Sequence, residues 1–127
     1  MKSLGDLLHH PRFHPHWRGM LLLLGLIAGW FAFMPAPQMN IQGGDKLNHL
    51  LAFASMAVAG RLGWTPGRAA LVGVALGLLA YGGFIELVQS QIPGRDAAWD
   101  DILADALGIS GGLLLAALAR RLWPQRP

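Results

Sequence analysis

Four apolar stretches, at about 19–35, 47–63, 68–89 and 100–118, alternate with short polar segments along the 127-residue chain. Each is apolar on every side rather than along one stripe, the pattern of helices whose surroundings are lipid or other helices. Punctuation falls between them. Pro35-Ala36-Pro37 ends the first stretch, Trp64-Thr65-Pro66-Gly67 marks a turn after the second, and Pro93-Gly94 marks another after the third. The pattern predicts an all-α fold, a bundle of four transmembrane helices.

The second stretch is the least apolar, interrupted by Asn48 and His49 near its start and Arg61 near its end. It spans if Arg61 snorkels to the headgroups and His49 is held by protein partners. Small residues recur at helical spacing in Gly25-xxx-Gly29, in Gly73-xxx-Gly77, and at Ala104, Gly108, Gly112 and Ala116. Such stripes let helix backbones approach closely and leave homo-oligomerisation open. Gly82-Gly83 allows close approach or a bend just before Glu86.

Residues 1–18 are polar, broken by Pro11 and Pro15, and hold four of the five histidines. They read as a cytosolic, partly disordered lead-in, on which Leu4, Leu7 and Leu8 form at most a stub of amphipathic helix on the membrane surface. The membrane domain follows at 19–119 and a cytosolic tail at 120–127. No small-x-small cleavage site follows Met34, so the first span is expected to be an uncleaved anchor.

Composition supports this division: 54% of residues are hydrophobic and 13% charged, apolar and charge-poor beside soluble averages. The net charge of +3 and pI near 10.2 do not point to nucleic acid, because the basic residues lie singly or in pairs at span ends. The absence of cysteine excludes disulfides, thiolate metal sites and a cysteine nucleophile.

The basic residues orient the bundle. Lys2, Arg12, Arg18, Arg61, Arg68, Arg120, Arg121 and Arg126 fall on one side, and only Lys46 and Arg95 on the other. The positive-inside rule then puts both termini in the cytoplasm. Trp17, Trp64 and Trp123 fall at the inner interface and Trp99 at the outer one. All the acidic residues except Asp6 collect at the outer side: Asp45, Glu86, Asp96, Asp100, Asp101 and Asp105.

Ionisable groups in or beside a span are costly and usually mark a working site. At about 1.5 Å rise per residue, His49, Glu86 and Asp105 should share a layer one helical turn beneath the outer surface. The pairs Asp45/His49, Lys46/His49, Glu86/Gln89 and Asp101/Asp105 are three or four residues apart and so share helix faces. An acidic residue at 100 or 101 also suits a helix N-terminus on capping grounds alone.

The ordered set Asp45-Lys46-x-x-His49, Glu86-x-x-Gln89, Arg95 and Asp101-Ile-Leu-x-Asp105 with Gly108 resembles the VanZ-like family of small bacterial integral membrane proteins. The resemblance covers about 45–112. It implies a cell-envelope setting in the bacterial cytoplasmic membrane, related to glycopeptide and teicoplanin resistance, and supplies no reaction. The family usually carries asparagine where this chain has Asp105.

Three functions follow from the layer. In the first, it binds the headgroup of a membrane lipid or lipid-linked wall precursor. Arg95 and Lys46 would hold phosphate or carboxylate, with Asp45, Gln89 and Asp105 completing the binding set. In the second, a membrane-embedded hydrolase or transferase acts on such a headgroup through His49, Glu86 and Asp101. In the third, the charges form a structural network in a partner subunit. No cofactor is expected and no metal is assigned, although nitrogen and carboxylate ligands from His49, Glu86, Asp101 and Asp105 would suit zinc or manganese.

The orientation has a direct check. A cysteine introduced at Ser90 should react with an impermeant maleimide applied to intact cells, and one at Thr65 only after permeabilisation; the reverse pattern would invert the topology.

Overall fold

The computed structural model describes residues 3–34, 44–94 and 98–125. Among them every regular element is helical: α1 (Leu4–His9), a 3-10 turn (Pro11–Phe13), α2 (His14–Phe33), α3 (Gly44–Leu62), α4 (Arg68–Gln89) and α5 (Trp99–Leu122). Three segments, Pro11–Phe33, Arg68–Gln89 and Trp99–Leu122, are long and apolar enough to cross a membrane. Leu26 and Trp30 on α2, Leu76 and Leu87 on α4, and Leu107 and Leu114 on α5 are exposed on their outer faces. This surface is compatible with a membrane-embedded protein.

The fourth long helix, α3, is the centre of the structure. It packs against α2, α4 and α5 and supplies Phe53, Met56, Ala57, Ala59 and Leu62, all essentially buried. Among its described polar residues His49 is buried and Arg61 half-buried, whereas Lys46, Asn48 and Ser55 are exposed, Ser55 with its hydroxyl bonded to the Leu51 carbonyl of the same helix.

The closest contact runs between α3 and α5. A Cβ at Gly108 would collide with the Leu50 carbonyl oxygen, and one at Gly112 with the Ala54 carbonyl oxygen and, at 2.8 Å, with the Ala57 side chain. Ala104 and Ala116 extend the same buried face. The small-residue stripe on α5 is therefore filled within the chain, backbone against backbone, which matters in lipid because dispersion and hydrogen bonds must hold helices together there. Gly73 and Gly77 behave differently. Nothing lies within 4 Å of a Cβ at either position, and both line an apolar groove of about 1400 Å³ between α2 and α4.

Polar ties close the rest of the bundle. The Tyr81 hydroxyl donates to the Gly25 carbonyl at 2.5 Å, and Gln89 Nε2 donates to the Ala32 carbonyl at 3.1 Å, joining α4 to α2. At the other end residues 4–13 are ordered rather than irregular. Ser3 caps α1 reciprocally with Asp6, and the Ser3 backbone N–H holds the Asp6 carboxyl below its usual range. Leu8 is buried with Leu62 and Ala116. Arg120 reaches across, donating from Nε to the Leu8 carbonyl at 3.0 Å and from a terminal nitrogen to the Trp64 carbonyl at 3.3 Å. The Leu8–Arg120 tie joins residues 112 positions apart, a partnership that local periodicity does not name.

Gly112→Val should destabilise the detergent-solubilised protein by about 1–3 kcal/mol or more through overpacking. Gly111→Ala, where an added Cβ meets nothing within 4 Å, should leave the thermal midpoint nearly unchanged. Equal effects would mean that the α3–α5 contact is not close.

Candidate functional site

The face of α5 that meets α3 carries Asp101 and Asp105 one turn apart, on the same stripe as Gly108 and Gly112. The face of α3 that meets it carries Lys46, His49 and Phe53. Close approach of the backbones thus brings these side chains together. His49 Nδ1–H donates to Asp105 Oδ1 at 2.7 Å, and the His49 ring lies parallel to Phe53, with 6.4 Å between centroids. Asp101 approaches from the next turn, with Oδ2 3.9 Å from His49 Nε2 and Oδ1 3.6 Å from Lys46 Nζ.

Glu86 enters from α4. Its Oε2 accepts the Ala98 backbone N–H at 3.0 Å, tying α4 to the start of α5. Gly82, one turn earlier, makes room for this arrangement, since a Cβ there would collide with Asp105 Oδ2 and stand 3.3 Å from Phe53. His49, Glu86, Asp101 and Asp105 are 9%, 6%, 2% and 0% exposed, whereas Lys46 at the rim is 51% exposed. Such burial is costly for carboxylates unless they are paired or neutralised. His49, Glu86 and Asp101 each offer one ligand atom, and these atoms lie within 4.8 Å of one another.

The remaining expected residues have different fates. Gln89 is buried but turns to α2 rather than to the carboxylates. Asp100 is exposed in the first turn of α5. Asp101 is no cap: the N-cap is Ala98, with no side-chain capping bond, and Asp101 points into the bundle. The side chain of Asp45, together with Arg95 and Asp96, lies outside the described residues.

Beside the layer is a second groove, of about 590 Å³, between α2 and α3. Leu24, Ile27, Phe31 and Leu51 form apolar walls, while Asn48, His49, Ser55 and Gln89 supply polar groups. It leaves no mark in the sequence pattern, because its apolar lining residues are indistinguishable by periodicity from any lipid-facing residue.

No protein-family model matches the chain, and neither a curated protein nor a solved structure matches it.

Asp105→Ala removes a buried charge-assisted hydrogen bond and should cost about 1–3 kcal/mol. Gly82→Ala, which forces the same carboxylate aside, should destabilise in the same direction. Thermal unfolding in detergent measures both, and a Gly82→Ala protein as stable as wild type would contradict the placement of Asp105.

Proposed function

We propose that this protein is a bacterial cytoplasmic-membrane protein that binds an amphiphile, a membrane lipid or lipid-linked wall precursor. The apolar part would lie in the groove between α2 and α3, and the headgroup on the His49 layer. The observation that carries this reading is the groove itself, whose apolar walls end at His49 and Gln89. Lipid sites have this mixed character, apolar along the chain and polar at one end. Lys46, half-exposed beside Asp101, would meet a phosphate or carboxylate at the rim, and Arg95 would supply the planar donor fork. The VanZ-like motif resemblance favours the same envelope setting and a relation to glycopeptide resistance.

In this reading α3 is a fourth span. Its 19 residues reach about 28 Å at 1.5 Å per residue, close to a hydrocarbon thickness of about 30 Å. At its start His49 is buried against α5, while Lys46 and Asn48 are exposed and would lie at headgroup level. Four spans with the basic side inward put both termini in the cytoplasm and the His49 layer at the outer leaflet.

A second reading, hydrolysis or group transfer on the bound headgroup, is favoured by the Asp105–His49 hydrogen bond. That bond fixes the ring and leaves Nε2 as the basic nitrogen. Turnover of the co-purified amphiphile would separate it from binding alone.

Native mass spectrometry of protein extracted gently from its own membrane tests the proposal. Wild type should retain a specific lipid or precursor. Ser55→Trp, which fills the groove from an exposed position, should reduce retention by about tenfold, the equivalent of about 1.4 kcal/mol. Bulk lipid alone, unchanged in the folded variant, would instead leave the layer as a structural ion network.

A further inference from the structure

The described charges of the buried layer do not balance. Asp101 and Asp105 on α5 and Glu86 on α4 face His49 and Lys46 on α3, and Lys46 is half in solvent. Two of the three carboxylates have contacts that account for particular oxygens: Asp105 Oδ1 with His49, and Asp101 with both Lys46 and His49. Glu86 is different. Its Oε2 is satisfied by the Ala98 N–H, but Oε1 is fully buried with no hydrogen-bond partner among the described residues. A buried acceptor left without a donor costs about 1–3 kcal/mol, more if it is charged.

We propose that His49, Glu86 and Asp101 hold a divalent first-row transition-metal ion, zinc or manganese, with Asp105 positioning the histidine from behind. Three helices each contribute one donor, and the donor atoms lie within 4.8 Å of one another. A carboxylate accepts only, so the Asp105–His49 bond places the ring proton on Nδ1 and the lone pair on Nε2. This is the carboxylate–histidine–metal arrangement in which the carboxylate fixes the tautomer and raises the basicity of the ligand.

The His49–Asp101 edge is close to the length required, and the edges to Glu86 lie within 4.8 Å. Metal–ligand bonds of about 2.0–2.2 Å imply donor–donor edges of roughly 3.3–3.6 Å in a tetrahedral site. The Nε2–Asp101 Oδ2 separation is 3.9 Å, so a shift of about half an ångström completes that edge. One nitrogen and two carboxylate oxygens suit zinc or manganese better than a soft ion. Three protein ligands leave a coordination position for water or a headgroup oxygen. The site stands on its own donor geometry, whatever occupies the groove.

Metal content of the purified protein tests this directly. Wild type is dialysed against chelator, reloaded with Zn²⁺ or Mn²⁺ and measured by inductively coupled plasma mass spectrometry. A variant lacking His9, His10 and His16 removes adventitious N-terminal binding. We expect one ion per chain in both proteins, and a rise in thermal midpoint on loading. Glu86→Gln, which keeps the side-chain volume, should lose the ion. Asp105→Asn should weaken binding by about 10–100-fold, while the exposed Asp100→Asn should bind as wild type does.

Cobalt-loaded wild type supplies a readout independent of variant folding, since coordination by His49 predicts visible ligand-field bands. Failure of wild type to take up either ion would overturn the proposal. So would full stoichiometry in folded Glu86→Gln. The groove-filling Ser55→Trp leaves all donors in place and should load normally, so the metal site and the lipid site can fail separately.

Discussion

Two helix backbones touch along the α3–α5 contact, and the rest of the structure depends on that approach. The carbonyl groups of Leu50 and Ala54 occupy the space that side chains at positions 108 and 112 would fill. The register set there carries His49 to Asp105 and Asp101 at the same face, one to two turns away. The hydrogen bond between His49 and Asp105 then belongs to the packing as much as to the chemistry. Steric closeness at the glycines and polar satisfaction at the aspartates specify the same helix pairing, the agreement between levels that gives a sequence one structure.

The long apolar stretches were legible because lipid-compatible helices leave an unmistakable composition. The helices Arg68–Gln89 and Trp99–Leu122 coincide closely with the stretches at 68–89 and 100–118. The polar residues were legible for the opposite reason, since a histidine or carboxylate inside such a stretch stands out. Packing partners were not legible. Gly73-xxx-Gly77 and Gly108-xxx-Gly112 look alike in sequence, yet the first lines an open groove and the second is filled by α3. What separates them is the neighbouring helix, which period alone does not name. Arg120 likewise looks like a tail residue, and its role in holding Leu8 and Trp64 emerges only from contacts distant in sequence.

Burial changes what the polar layer can be. A set of surface charges would hold an anionic headgroup through its cations, but the described residues provide a carboxylate-rich interior with one lysine at the rim. Such an interior prefers a cation. An ion shared by His49, Glu86 and Asp101 would neutralise the layer and present an electrophilic position to whatever enters from the groove between α2 and α3. Metal and amphiphile are thus compatible occupants, with Lys46 placed for the outer part of the headgroup.

The most direct measurement of this account is a crystal structure grown in a lipidic mesophase doped with the native lipid extract, with anomalous data at the zinc and manganese edges. Extended density is expected in the groove between Leu24, Phe31 and Leu51, ending beside an anomalous peak bounded by His49, Glu86 and Asp101. A groove closed by its own side chains, with His49 bonded directly to Glu86 and no peak between them, would contradict it.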